Sequence, residues 1–196
     1  MRIMQWMLAR EGYRVVNIGY PSTQAGITDL SEKAVSRAVA RCAGAPRIHF
    51  ITHSLGGILL RSWMSRNTPD HAGRVVMLGP PNGGSELVDA FRHRDSFKLI
   101  FGRAGQELCA RRTTVLHSLP CTAPLETGII AGTRSANPLT SVFVGGPNDG
   151  KVSVKSAFDM PAKAKRQLPV SHTWMMMDRT VIAASARFLQ KGDFNQ

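Results

Sequence analysis

Short β-rich runs alternate with longer amphipathic segments along the sequence. Apolar residues between 27 and 39 recur at the spacing of one helix face, and residues 179–190 have the same pattern. Helices are also predicted for Met1–Gly12 and Gly56–Arg66. Strands are predicted at Tyr13–Tyr20, Arg47–Thr52, Arg74–Gly79 and Thr127–Thr133, with Lys151–Ala157 as a further extended candidate. This alternation predicts an α/β fold, in which helices cover a mainly parallel sheet.

The length of 196 residues fits a single domain, 1–196, with a sizeable hydrophobic core. Within it, Pro80–Glu126 lacks a clean strand pattern and begins with the turn-rich sequence PPNGGSE. Connections this long without regular structure are uncommon in compact domains. The segment 80–126 is therefore predicted to be a small helical cap over one edge of the sheet.

The formal net charge of +12 raises the question of an acidic partner, such as nucleic acid or an anionic membrane surface. The basic residues are spread along the chain, and the densest stretch, Lys151–Arg166, is interrupted by apolar residues and a proline. No helix-turn-helix, zinc-finger or aromatic RNA-binding pattern is present. A basic surface is therefore favoured over dedicated nucleic-acid binding.

The remaining composition predicts a cytoplasmic protein. No apolar run reaches the roughly 18–20 residues of a membrane span, so no transmembrane segment is expected. The N-terminal segment lacks the unbroken apolar run and cleavage site of a signal peptide. The cysteines, Cys42, Cys109 and Cys121, are odd in number and scattered, which favours free thiols over disulfides or a zinc site.

Ser54 stands between a predicted strand and a predicted helix, in the sequence His53-Ser54-Leu55-Gly56-Gly57. A serine there can simply cap the helix. It can also be a nucleophile on a sharp turn, where small neighbours let strand and helix approach and the helix N-terminus stabilises a developing anion. Thr52 occupies the position of the first glycine in G-x-S-x-G, which is a departure from that motif.

A serine nucleophile needs a base, and the base needs an acid that orients it. Asp149 lies in a loop rich in glycine, proline and asparagine, and His172 lies between an extended run and the last helix. The order Ser54, Asp149, His172 is the chain order of the α/β-hydrolase triad. Asp149 could equally be a turn residue, and His172 a cap of the last helix.

Other residues are weaker candidates for these roles. His49 lies within a predicted strand, and His53 adjoins the serine too closely to act as its base. Asp178 is an alternative acid, but its position suggests an N-cap of the final helix. Met175–Met177 are expected to pack in the core or a pocket wall.

The sequence resembles bacterial α/β-hydrolases of the lipase and esterase type, related to triacylglycerol-lipase-like and GPI-deacylase-like enzymes. The resemblance rests on GYRVVNIGYPST, HFITHSLGGILLR, RVVMLGPPNGGSE, GPNDGKVSV and LPVSHTWMM and covers nearly the whole chain. It implies a three-layer sandwich around a sheet of the α/β-hydrolase type. It also implies that Ser54 is the nucleophile, His172 the base, Asp149 its orienting acid and the Leu55 N–H an oxyanion donor. Neither a metal nor an organic cofactor is implied.

The resemblance has one large departure at the N-terminus. Such hydrolases normally open with a strand and a His-Gly loop, which supplies the second oxyanion N–H and lies beside the nucleophile strand. Here Met1–Gly12 has the pattern of the helix that follows that loop, so the fold is expected to be N-terminally shortened. Either the natural start lies upstream, or the chain is a shortened relative that closes its sheet differently.

These observations predict a serine hydrolase that cleaves small-molecule or lipid carboxylic esters through an acyl-enzyme. The alternative is a truncated or non-catalytic hydrolase-fold protein that binds a ligand or partner. A third hypothesis, a basic protein docking on an acidic surface, predicts strongly salt-dependent binding.

Overall fold

The computed structural model describes residues 1–91, 104, 107–108, 116, 118–120, 125–136 and 138–195. The helices in these residues are α1 (Arg2–Arg10), α2 (Ile27–Ala40), α3 (Leu55–Met64), α4 (Glu86–Phe91), α5 (Pro138–Val144), α6 (Val154–Ala157) and α7 (Arg179–Lys191). The strands are β1 (Ile48–His53), β2 (Ala72–Leu78), β3 (Thr127–Gly132) and β4 (Ala164–Leu168). None of the helices in this part of the chain has both the length and the apolar character needed to span a bilayer. Most of the predicted cap, 80–126, lies outside the described residues.

The described strands form one parallel sheet in the order β1-β2-β3-β4. Ile51 of β1 lies beside Val76 of β2, which in turn lies beside Gly128 of β3. Each connection between neighbouring parallel strands must cross back over the sheet, usually through a helix. The parallel α/β sheet predicted from the sequence is confirmed.

Strand β2 forms the centre of two hydrophobic cores. Val76 and Leu78 pack towards α1 and α7, whereas Val75 and Met77 pack towards α3 on the opposite face. Successive side chains of a strand point to opposite faces. Both faces of β2 are buried, which explains its continuous apolar run. The sheet therefore lies between two helical layers, as the expected three-layer architecture requires.

Two predicted extended segments are not strands. Residues 13–20 run between α1 and α2 outside any helix or strand. Within the described residues, no strand hydrogen-bonds to this segment, so its apolar pattern does not lead to a sheet pairing. In the candidate Lys151–Ala157, the last residues form α6 instead. Ser153 begins that helix, since its hydroxyl accepts a hydrogen bond from the N–H of Ser156 at 3.0 Å.

Strand β4 lies ahead of His172, where the sequence predicts an extended run but gives no bounds for it. Its residues, Ala-Lys-Arg-Gln-Leu, are mostly polar and alternate between half-buried and exposed before the buried Leu168. In the described sheet β4 pairs only with β3, so it needs little apolar surface of its own. Its lysine and arginine belong to the stretch Lys151–Arg166 noted for its basic charge, which concealed the strand pattern.

Candidate active site

Ser54 lies in the turn between β1 and α3, at the carboxyl end of the strand. Its backbone has φ 53° and ψ −128°, a conformation that costs on the order of 1–3 kcal/mol for a residue with a side chain. The Ser54 N–H donates to the carbonyl of Leu78 at 2.9 Å, which ties the turn to β2. The Ser54 side chain makes no capping hydrogen bond to α3. The helix-cap interpretation of this serine is therefore wrong.

The glycines that follow Ser54 differ in their surroundings. A Cβ atom on Gly57 would lie 3.2 Å from the Pro80 Cβ and 3.4 Å from the Thr52 Oγ1. A Cβ atom on Gly56 would meet its nearest neighbour, the Tyr20 hydroxyl, at an ordinary 3.6 Å. The approach of α3 to the end of β1 therefore leaves less room for a Cβ atom at position 57 than at position 56.

Leu55 opens α3 directly after the strained turn. The N–H groups of a first helical turn have no partner within the helix and carry its positive dipole end. The Leu55 N–H is therefore available to an anion next to the Ser54 side chain.

Asp149 and His172 form a buried pair. The side-chain oxygen Oδ2 of Asp149 lies 2.7 Å from Nδ1 of His172. Both residues are almost completely buried, with 2% and 4% of their surfaces exposed. An ionised carboxylate can only accept, so the His172 Nδ1–H donates, and in a neutral ring Nε2 then carries the lone pair. The His172 N–H also donates to the Asp149 carbonyl at 3.0 Å.

The loop around Asp149 is rigidly hydrogen-bonded. The second carboxylate oxygen of Asp149, Oδ1, accepts from the N–H groups of Lys151 and Val152 at 3.0 and 2.8 Å. The neighbouring Asn148 side chain accepts from the Gly150 N–H at 2.9 Å and donates to the Gly146 carbonyl at 2.8 Å. These bonds hold one carboxylate oxygen in the loop and leave the other directed at His172.

Two glycines allow the chain to approach this pair. At Gly79, which follows β2 with φ +52°, a Cβ atom would lie 2.9 Å from Asp149 Oδ2 and 3.2 Å from His172 Nδ1. At Gly132, at the end of β3, it would lie 2.3 Å from the Val170 carbonyl oxygen. Both positions therefore exclude a larger residue without movement of the backbone or of the pair.

His53, the residue before Ser54, packs directly on His172. The two ring centroids are 4.7 Å apart, and His53 Nε2 lies 3.0 Å from the His172 carbonyl oxygen, so that Nε2–H donates. Burial, with a further contribution from the charge of His172, lowers the pKa of His53 to about 4. His53 is therefore neutral at neutral pH and holds the backbone and ring of His172 in place.

The structure brings Ser54, Asp149 and His172 to one edge of the sheet. The connection runs from the Ser54 N–H to Leu78, and the next residue, Gly79, contacts the Asp149–His172 pair. Among the hydrogen bonds of the described residues, none joins the Ser54 hydroxyl to the His172 ring. The Asp149–His172 pair is thus assembled at the same sheet edge as the strained turn of Ser54.

Sequence reasoning missed the structural roles of His53 and Gly79. His53 adjoins the serine and is therefore not expected to be its base, yet this position places its ring against His172. Gly79 follows β2, whose neighbour β1 leads into Ser54, and its closeness to Asp149 and His172 is visible only once the strand order is known. Within the described residues, no group of three or more His, Cys, Asp or Glu side chains is placed to hold a metal ion.

Comparisons with solved structures agree with this architecture. The chain is similar to a lipase of Bacillus licheniformis in its propeptide form, with a TM-score of 0.67 and 19% identity over 85% of this chain and 41% of that one. It is similar to phospholipase PlaB of Legionella pneumophila, with a TM-score of 0.70 and 18% identity over 96% of this chain and 55% of that one. A metagenomic carboxyl esterase matches with a TM-score of 0.53 and 18% identity over 76% of this chain and 52% of the other.

The chain therefore spans about half the length of these three structures. No protein-family model matches the sequence, and a comparison with curated proteins returns no match either. The fold is that of the α/β-hydrolases, as the sequence resemblance implied.

Proposed function

We propose that this protein is a serine hydrolase that cleaves carboxylic esters through an acyl-enzyme. The observation that carries the proposal is the buried Asp149–His172 pair, 2.7 Å apart, at the same sheet edge as the strained turn of Ser54. A base oriented by a buried carboxylate is the requirement for activating a serine hydroxyl.

In the proposed reaction, Ser54 Oγ attacks the ester carbonyl carbon while its proton passes to His172 Nε2. Asp149 stabilises the imidazolium that forms, and the Leu55 N–H donates to the oxygen that becomes negative. His172 then returns the proton to the departing alcohol, which leaves the acyl group on Ser54. A water molecule, activated by the same histidine, releases the acid and restores the serine.

Apolar side chains near both loops favour an ester with an apolar part, including lipid esters. Val142 and Phe143 precede the Asp149 loop and are 80% and 52% exposed. Trp174 lies two residues after His172 and is 59% exposed. Contiguous exposed apolar patches mark surfaces that contact apolar ligands or membranes, and these three side chains are the candidates for such a patch. Two of the similar structures are, by name, a lipase and a phospholipase.

The proposal is tested with a fluorophosphonate probe and mass-spectrometric mapping of the labelled residue. We expect labelling at Ser54 alone, and its complete loss in Ser54→Ala. Turnover of p-nitrophenyl butyrate should fall by about 10⁶-fold, that is, to background. The matched control is Ser65→Ala, because Ser65 is an exposed serine at the opposite end of α3.

Labelling that persists in Ser54→Ala would exclude Ser54 as the nucleophile. The second candidate function, a non-catalytic protein of the same fold, is favoured by the missing hydrogen bond between Ser54 and His172 in the described structure. It predicts that the folded protein neither reacts with the probe nor turns over esters, and that Ser54→Ala changes nothing.

A further inference from the structure

Arg61 is a buried arginine near the end of α3, with 3% of its surface exposed. An arginine keeps its positive charge inside a protein, and it is almost never fully buried unless its N–H groups have partners. Arg61 lies about two helical turns, or about 10 Å, after Ser54. The proposed reaction does not use this side chain, so its burial needs a different explanation.

The hydrogen bonds of Arg61 reach two other parts of the chain. Its Nη2 donates to the carbonyls of Leu116 and Leu119, at 2.9 Å each, and its Nε donates to the carbonyl of Pro120 at 3.2 Å. Its Nη1 donates to the side-chain oxygen Oδ1 of Asn82 at 3.1 Å. The guanidinium group therefore connects α3 both to residues 116–120 and to the loop that follows β2.

Asn82 continues this connection to α6. Because an arginine has only donors, the amide oxygen of Asn82 must face it, and the amide nitrogen points the other way. That nitrogen, Nδ2, donates to the carbonyl of Ala157 at 2.9 Å, and Asn82 is only 1% exposed. The next residue, Gly83, donates its N–H to the carbonyl of Ser156 at 3.0 Å. The loop after β2 is thus bonded to Arg61 on one side and to α6 on the other.

The loop after β2 and α6 both border the buried acid and base. The loop begins at Gly79, where the space for a Cβ atom is taken by Asp149 and His172. Helix α6 directly follows the loop that contains Asp149, and its Val154 N–H closes that loop by donating to the carbonyl of Pro147 at 2.9 Å. A displacement of either segment therefore changes the surroundings of the Asp149 carboxylate.

We propose that Arg61 is a positioning residue of the candidate active site. Through Asn82 it fixes the loop after β2 against α6, and these two segments keep Asp149 at hydrogen-bonding distance from His172. The planar guanidinium group suits this role, because it donates in several fixed directions at once and a lysine does not. The effect on reaction rate rests on the proposed function, whereas the effect on the Asp149–His172 bond does not.

A purely structural role is the alternative. The bonds to residues 116–120 attach this segment to α3, and Leu116 belongs to the same buried apolar cluster as Ile58 and Leu59. Loss of these bonds alone would lower stability and leave the acid and base unchanged. The bond to Asn82 is different, because the other side of the same amide is bonded to α6.

The test follows the His172 Nδ1–H by proton NMR in Arg61→Met and Asn82→Ala. A histidine N–H that donates to a buried carboxylate gives a far-downfield signal, which reports the Asp149–His172 bond directly. We expect both substitutions to move this signal upfield and to speed its exchange with water by about 10-fold. We also expect kcat for p-nitrophenyl butyrate to fall by about 10²-fold with KM unchanged, because the substitutions displace reacting groups without touching the substrate.

The matched control is Arg74→Met. Arg74 also donates to a backbone carbonyl, that of Leu189 at 2.9 Å, but it lies near the start of β2, at the amino end of the strands. We expect this substitution to lower the melting temperature and to leave the His172 signal and kcat unchanged. Asn82→Ala leaves the three carbonyl partners of Arg61 in place, so it decides the matter if Arg61→Met fails to fold.

A His172 signal that stays unchanged in Asn82→Ala would overturn the proposal and leave Arg61 with a structural role only. An equal change in Arg74→Met would overturn it as well, since any loss of stability would then have the same effect. A parent protein without the downfield signal would contradict the bond on which the proposal rests. If the parent shows the signal but has no esterase activity, the proposed function fails, and the NMR comparison still decides the role of Arg61.

Discussion

Ser54 and His53 are neighbours in sequence but serve different parts of the site. The positive φ of Ser54 separates its side chain from the regular alternation of β1 and holds it at the start of α3. His53 keeps the strand conformation, and its ring packs against the ring of His172. The chain turns sharply between the two residues, so that His53 contacts His172 while Ser54 opens the turn into α3.

Protonation of His53 should couple stability to pH. Its pKa is lowered from 6.5 to about 4, so the unfolded chain binds a proton at a higher pH than the folded chain does. With respect to His53, the free energy of unfolding therefore has its full value above pH 6.5 and falls as the pH is lowered to 4. The difference of about 2.5 pH units corresponds to about 3 kcal/mol.

The measurement is urea unfolding of the parent protein and of His53→Gln between pH 7.5 and 4. We expect the parent protein to lose about 3 kcal/mol more over this range than the variant, because glutamine does not titrate. All other titrating groups are shared by the two proteins. Parallel pH profiles would show that His53 is not buried in its neutral form.

At the scale of elements, the loop after β2 determines how closely the sheet approaches the acid and base. Gly79 and Gly146 both have positive φ, at 52° and 55°. A Cβ atom on Gly79 would meet Asp149 and His172, whereas one on Gly146 would meet nothing within 4 Å. A substitution at either glycine strains the backbone, but only a substitution at Gly79 also displaces the Asp149–His172 pair. Comparing the two variants therefore separates these effects.

Gly79→Ala and Gly146→Ala should each lose about 1–2 kcal/mol of stability from the left-handed backbone. Only Gly79→Ala should also slow fluorophosphonate labelling, by about 10²-fold, because small displacements of reacting groups have effects of that size. Thermal unfolding and labelling rates are measured on both variants. Equal labelling rates would show that the pair tolerates a methyl group at position 79.

Substitution of Asp178 should lower stability but not activity, whereas substitution of Asp149 should lower activity. Asp178 caps α7, since its Oδ1 accepts from the N–H groups of Thr180 and Val181 at 2.8 and 3.0 Å. Asp178→Ala should therefore lower the free energy of unfolding by about 1 kcal/mol and leave ester turnover unchanged. Asp149→Asn should reduce turnover by about 10⁴-fold, because the amide favours the wrong tautomer of His172.

Turnover of p-nitrophenyl butyrate and urea unfolding are measured for both aspartate variants. Loss of turnover in Asp178→Ala, with full turnover in Asp149→Asn, would transfer the acid role to Asp178.

At the scale of the whole molecule, ion pairs link the strands at their amino ends, opposite the candidate site. Glu126 accepts from Arg74 Nε at 2.6 Å and from the Lys163 ammonium group, which links β2 to the start of β4. Hydrogen bonds from Lys163 and Arg74 lower the pKa of Glu126. Arg74 also donates to the carbonyl of Leu189 at 2.9 Å, near the end of α7. Glu126 thus bridges Arg74 and Lys163, and Arg74 extends this network to the end of α7.

Because the net charge is +12, we expect added salt to raise the melting temperature of the protein. Repulsion among like charges opposes compaction, and a Debye length of about 8–10 Å at 0.1–0.15 M screens it. We expect the melting temperature to rise by about 2–4 °C between 20 and 300 mM NaCl, which corresponds to about 1 kcal/mol. The double variant Lys33→Gln and Lys155→Gln, at exposed positions, should show a smaller rise. A melting temperature that falls with salt would mean that attractive ion pairs dominate.

Local pattern was sufficient for much of this protein. The apolar runs of β1, β2 and β3 and the periodicity of α1, α2 and α7 come from side chains that alternate or repeat within one element, so the parallel α/β class followed from the sequence. The chain order of Ser54, Asp149 and His172 likewise followed from residue type beside predicted strand ends. Their chemical roles remain predictions until the variants above are measured.

Features that depend on contacts between residues distant in sequence were decided only by the tertiary structure. Residues 13–20 have the apolar pattern of a strand, but a strand exists only when another backbone pairs with it, and none in the described residues does. Conversely, β4 is polar, yet it is a strand because β3 offers it an edge. The His53 contact and the 2.7 Å Asp149–His172 bond also arise from segments that meet only after folding, because strand order determines which loops share an edge.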